Sequence, residues 1–240
     1  MSISQTVSFI EAFIPLVEDV ASRMDIVICP PYTALYIAAR RLEGTPIHLG
    51  AQNLHPGPGV SFTGEISAQL LADVGCRWVM LGHWERRRHF GETDELVNRK
   101  VKAALQAGLR PVLLVGEPRE AARAPQRELH RQLERILQGC NAHQVGRMAF
   151  IYEPEWAIGV DRPASGQHIQ EGCALIREWL NERFGGIGHK VPIIYGGSVS
   201  PEFAPELLTQ PDVDGLGTTR KGRDPRDFAS IVRAIARARL

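Results

Sequence analysis

The sequence lacks the features that mark several function classes. Its 240 residues carry 28 Lys+Arg against 27 Asp+Glu, a formal net charge of +1. There is no charge excess to hold a nucleic acid or an anionic membrane, and neither partner is expected. No apolar run approaches the roughly 20 residues that cross a bilayer. The opening stretch has no basic leader and carries Glu11 and Glu18, so it does not read as a secretory signal. The four cysteines, at 29, 76, 140 and 173, form no CxxC pair. Scattered singles fit buried thiols in a reducing compartment, and neither a disulfide frame nor a metal site is expected. A soluble cytoplasmic protein is the expected reading.

No Ser/Gly-rich linker or shift of composition divides the chain, so a single domain over residues 1–240 is expected. What is present is a regular alternation. Short β-branched runs at 26–29, 47–50, 78–81, 111–115, 148–152, 192–195 and 213–217 are separated by helix-like stretches. Those stretches fall at 5–22, 32–42, 67–74, 94–107, 126–138, 166–183, 201–208 and 225–236. Such alternation implies βαβ units and a parallel sheet. The strand runs are continuously apolar, as strands covered on both faces are. A doubly wound open sheet is disfavoured, because the first run ends in Cys29-Pro30-Pro31 and no GxGxxG turn follows. The expected fold is an α/β (β/α)8 barrel that opens on a helix and lacks its first strand.

In a barrel the residues just after each strand form the active-site mouth. The third run leads into Leu81-Gly82-His83-Trp84-Glu85-Arg86-Arg87, the fifth into Tyr152-Glu153-Pro154-Glu155-Trp156-Ala157-Ile158-Gly159, and the sixth into Tyr195-Gly196-Gly197-Ser198. Taken singly, such a histidine or glutamate is more often structural. A histidine and a glutamate at one mouth, beside a turn whose N–H groups can hold a phosphate, shift the balance toward a catalytic role. Together with Ala51-Gln52-Asn53, Phe62-Thr63-Gly64-Glu65-Ile66-Ser67, Phe90-Gly91-Glu92 and Asp212-Val213-Asp214-Gly215, these motifs resemble the triose-phosphate isomerase family. They run in family order along most of the chain.

The resemblance implies roles. Glu153 would be the general base and His83 the electrophile of an aldose–ketose isomerisation through an enediolate, most simply of D-glyceraldehyde 3-phosphate and dihydroxyacetone phosphate. Residues 154–164 would form a lid that shields the enediolate. Gly159, Ser198, Thr219 and Arg220 would bind the substrate phosphate. Glu85 would support the site through the family's catalytic lysine, and Arg86 would brace a dimer face. The loop 53–63 resembles the arm that inserts into a neighbouring subunit, so a homodimer is implied. No metal or organic cofactor is implied, since the proton transfers involve side chains alone.

The chain also departs from the family. The family's first strand ends in an Asn-x-Lys turn that is missing ahead of Gln5, and Met1 falls where that turn's methionine would be. The natural chain is therefore expected to begin earlier, with activity expected of the longer form. Trp84 replaces a small serine, Asp161 and Pro163 alter the far end of the lid, and Thr219-Arg220 replaces a Gly-Gly pair at the phosphate loop. A Gly-Arg version of that loop resembles relatives that isomerise tetrulose phosphates, which is the alternative substrate. A barrel that has lost catalysis and acts as a binding or scaffold protein is the alternative from another class.

Overall fold

The computed structural model describes residues 1–57 and 61–239. Seven strands form one sheet in the order of the chain: β1 (Val27–Ile28), β2 (His48–Ala51), β3 (Trp78–Leu81), β4 (Arg110–Val115), β5 (Ala149–Tyr152), β6 (Ile193–Tyr195) and β7 (Gly215–Leu216). Every pairing is parallel, with Trp78 opposite Arg110, Val112 opposite Ala149, and Phe150 opposite Ile193. The helices are α1 (Ile3–Val17), α2 (Leu35–Leu42), α3 (Ala68–Asp73), α4 (Trp84–Phe90), α5 (Asp94–Gln106), α6 (Pro125–Ile136), α7 (Ala142–Val145), α8 (Gly166–Phe184), α9 (Ala204–Leu207) and α10 (Pro225–Arg239). This is the α/β barrel architecture expected of the alternation.

Strand side chains point alternately to two faces. Trp78, Val112, Leu114, Ala149 and Ile151 form a small cluster. Their neighbours Val79, Leu81, Leu113, Val115, Phe150 and Tyr152 join the large core that contains Val97, Val101, Leu129, Leu133, Ile169 and Ile176 from α5, α6 and α8. Both faces of each central strand are therefore apolar, which explains the unbroken runs.

Among the described residues the sheet ends at β1 and β7, and no strand precedes α1. The helical layer continues across that point. Phe13 of α1 stacks on Phe9 and on Phe228 of α10, with centroids 5.5 and 4.8 Å apart. Arg233 of α10 adds hydrogen bonds to Asp19, at 2.7 and 3.1 Å, and to the Leu16 carbonyl. α1 itself starts on a reciprocal cap between Ser2 and Gln5.

Two helices are absent from the sequence reading. α4 starts where His83 Nδ1 accepts the Glu85 N–H, and it stops at Gly91, whose φ of 64° is left-handed. None of its residues is buried, so it lacks the amphipathic period by which helices are read. α7 is a single turn closed by a capping box between Asn141 and Gln144. The stretch 201–208 is helical only at Ala204–Leu207. The loop 53–63 is described on both sides of residues 58–60, which lie outside the described residues; Phe62 stacks against His55 with centroids 4.2 Å apart. Among the described residues no helix is long and apolar enough to cross a membrane. Among them no three or more His, Cys, Asp or Glu side chains are grouped so as to hold a metal ion.

Phe13 is fully buried between α1 and α10. Phe13→Ala is expected to lower unfolding stability by about 3–5 kcal/mol, measured by denaturant midpoint. A loss under about 1 kcal/mol would mean that this stack does not join the two helices.

Candidate active site

Glu153 follows β5 directly into the mouth. Its N–H donates to the Val115 carbonyl at 2.8 Å, and the Gly196 N–H donates to the Tyr152 carbonyl at 3.0 Å, so β4 and β6 fix the residue from both sides. Gly116 permits the approach, because a Cβ there would lie 2.0 Å from the Glu153 carbonyl oxygen. The side chain is buried, at 7% exposure, and among the described residues nothing donates a hydrogen bond to its carboxylate. Burial pushes the carboxyl up to about 8, and the Glu85 charge adds to the rise.

His83 follows β3 and faces the same space. Its Nε2 lies 3.7 Å from Glu153 Oε2, beyond hydrogen-bond length. Its Nδ1 accepts the Glu85 N–H at 3.2 Å, which leaves the proton on Nε2. Burial pushes the imidazole below its ordinary value against the opposing pull of Glu85, and the ring is neutral. The mouth thus presents a buried carboxyl and a neutral N–H donor to one point.

The segment 154–164, expected from the sequence to act as a lid, is held at three places. At its start the Trp156 indole N–H donates to Glu117 at 2.9 Å. Glu117 is fully buried and also accepts from Tyr152 Oη at 2.9 Å and His168 Nε2 at 2.8 Å. At the far end the Ala164 N–H donates to Tyr195 Oη at 3.0 Å. In the middle the Val160 carbonyl accepts from Ser198 Oγ at 2.6 Å and Arg220 Nη2 at 3.0 Å. Ser198 also reaches the Ala157 carbonyl at 3.0 Å. Among the described residues it is the one non-glycine with a left-handed φ, 51°, so backbone strain sits at the mouth.

His83 and Glu153 therefore meet as expected, and Gly159, Ser198 and Arg220 gather around one stretch of the lid. Thr219 is exposed beside Arg220. Glu85 is exposed and lies 3.8 Å from His83 Nδ1; among the described residues it pairs with no lysine or arginine. Its backbone N–H meets His83 and its charge acts on Glu153. Trp84 lines a cavity of about 190 Å³ with Arg87, Gln132 and Glu153. Sequence reading missed Glu117 and His168, and it named Tyr195 within a motif without giving it a role. Glu117 stands two residues beyond β4, so a scan of every strand end would have found it.

Residues 1–235 match the sequence model of the family described as triosephosphate isomerase. The chain belongs to the triosephosphate isomerase family. It is 45% identical over 234 residues to the triosephosphate isomerase of Symbiobacterium thermophilum, a match that covers 96% of this chain and 91% of that one. It is 40% identical to that of Aquifex aeolicus, with 96% and 94% covered, and 42% identical to that of Carboxydothermus hydrogenoformans, with 95% and 92% covered.

In the substrate-free protein the Glu153 carboxyl carbon, followed by ¹³C NMR, is expected to titrate near pH 8. Below that pH the group is neutral and above it ionised. A midpoint in the ordinary range near 4 would show that water reaches the carboxylate.

Proposed function

We propose that this chain interconverts the aldose and ketose forms of a small sugar phosphate, with D-glyceraldehyde 3-phosphate and dihydroxyacetone phosphate as the pair, a step of glycolysis and gluconeogenesis. Membership of the triosephosphate isomerase family supports the reaction class. The observation that carries the reading is the buried Glu153 carboxyl facing the neutral His83 Nε2 at 3.7 Å beneath the lid.

The ionised Glu153 takes a proton from the carbon next to the substrate carbonyl. The electron pair left behind moves onto the carbonyl oxygen, toward which His83 donates its Nε2 hydrogen bond. The result is an enediolate. Return of the proton to the neighbouring carbon, with the hydroxyl proton passed between the two oxygens by His83, completes the isomerisation without any net gain or loss of atoms. A neutral imidazole suits this step, since its donor strength is matched to the enediolate oxygen. Water exclusion matters because the enediolate otherwise loses phosphate. A lid tethered at its start, middle and far end supplies that exclusion.

Gly159, Ser198, Thr219 and Arg220 form the phosphate grip in this reading. Gly159 has a φ of 74° with open space beside its Cα, so the backbone can be approached closely. No cofactor is needed. A single domain, a cytoplasmic location and a homodimer belong to the same reading. Exposed aromatics support the homodimer: Tyr32 and Tyr36 around the start of α2, Phe62 in the arm, and Phe90 at the end of α4. Arg86 stacks on Phe90 at 4.0 Å and is hydrogen-bonded to Glu92, which gives that surface a fixed shape. A scaffold without catalysis has no need of a buried, unpartnered carboxyl, which costs stability whenever it is ionised.

Glu153→Gln keeps the size of the side chain and removes the proton acceptor. In the form of the protein that carries activity, kcat is expected to fall by about 10²-fold or more; a smaller loss would remove Glu153 from the base role. In the unsubstituted enzyme kcat/KM is expected to rise with pH up to about 8, as Glu153 ionises. A flat profile between pH 6 and 8 would contradict the buried base.

A further inference from the structure

Val160 lies in the middle of the lid, and its carbonyl is the acceptor for side chains from two different loops. Ser198, beyond β6, comes to 2.6 Å, and Arg220, beyond β7, comes to 3.0 Å. The Ser198 hydroxyl has one proton, already shared with the Ala157 carbonyl. Arg220 is different in kind. A guanidinium carries five N–H donors in a rigid planar fork and can hold two partners at once in a fixed relation. Among the described residues Arg220 donates from Nη2 alone, leaving Nε and Nη1 without a protein acceptor. The side chain is exposed on the face where Gly159, the Ser198 turn and Thr219 gather.

We propose that Arg220 is a positioning residue that clamps the lid onto a bound oxyanion: Nη2 holds the Val160 carbonyl while the remaining donors hold the phosphate oxygens. This rests on the phosphate-site reading given above. One rigid group then serves both partners, so ordering it on one lowers the entropy cost of engaging the other. By linkage the anion strengthens lid closure by the same factor as the closed lid strengthens anion binding. A lysine at this position keeps the charge but offers a compact ammonium without the planar fork, so it cannot fix carbonyl and phosphate relative to each other.

The test is amide hydrogen exchange across the lid, with and without inorganic phosphate at a concentration that calorimetry shows to saturate each protein. In the unsubstituted protein phosphate is expected to slow exchange over residues 159–164 by about fivefold or more. In Arg220→Lys phosphate still binds, but the slowing is expected to stay under about twofold because the fork is gone. In Arg220→Ala phosphate binds more weakly and lid exchange quickens even without it. Equal slowing in the unsubstituted protein and Arg220→Lys overturns the clamp, and so does an unsubstituted protein whose lid ignores phosphate or which binds none. Isomerase activity is assayed separately. Activity with an unresponsive lid sinks the clamp and leaves the isomerase reading, whereas a responsive lid without activity, in this chain and in one extended at its N-terminus by the missing strand, sinks the isomerase reading alone.

Discussion

A carboxyl group kept away from water and left without a hydrogen bond is the constraint around which this mouth is arranged. Ionising such a group in a protein interior is unfavourable, and the rise to about 8 measures that resistance. The same desolvation makes the ionised form a stronger base toward a carbon acid, which is a far weaker acid than water-exposed carboxylates can deprotonate quickly. Nothing local holds Glu153 there. Its position comes from backbone pairing on both flanks, through the Val115 carbonyl on one side and the Gly196 N–H on the other. The absence of a side chain at Gly116 lets those strand ends come together.

Two buried carboxyls at neighbouring strand ends are handled in opposite ways. Glu153 is left bare, whereas Glu117 receives three donors, from Tyr152, Trp156 and His168. Supplying donors to a buried carboxylate stabilises its charge and fixes its geometry. Glu117 can therefore anchor the start of the segment 154–164 rigidly, while Glu153, the proposed base immediately ahead of it, is left without a donor. Tyr152 belongs to both arrangements, since it closes β5 before Glu153 and donates to Glu117. The proposed base and the start of the proposed lid are thus set by one strand end.

The strands were legible because both faces of each are buried and the runs are unbroken. The two shortest, Val27–Ile28 and Gly215–Leu216, are narrower than their apolar runs, since pairing stops where the sheet has no further neighbour. α4 was illegible for the reverse reason, as it buries no residue and carries no apolar stripe; its Arg86 and Arg87 turn inward only to meet the buried Glu92 and Asp94. His83 and Glu153 were legible because strand ends are where barrel chemistry lies. The His168 contact with Glu117 joins residues far apart in sequence, and no local pattern encodes it. Arg220 shows a subtler limit. A sequence displays a donor but not its acceptor, and in this structure the guanidinium expected at an anion rests on the Val160 carbonyl.

The exchange of a Gly-Gly pair for Thr219-Arg220 changes how a phosphate can be gripped. Glycines allow backbone N–H groups to approach an anion closely, at the cost of a loop that loses more entropy on ordering. Their donors are part of the loop and move only with it. A guanidinium reaches outward on a flexible stem, carries full charge, and can choose among acceptors. In this chain it has chosen a carbonyl of the lid, which the Ser198 hydroxyl also holds from the adjacent loop. The proposed lid is therefore tied to the loops beyond β6 and β7, where the phosphate is proposed to bind, and not only to its own ends at Trp156 and Ala164. Tethering from the site side costs affinity if the lid must open far, yet it shortens the path from an open mouth to a closed, water-free one. In the proposed isomerase, whose base works away from water, that arrangement would place closure of the lid under the control of the residues proposed to meet the substrate.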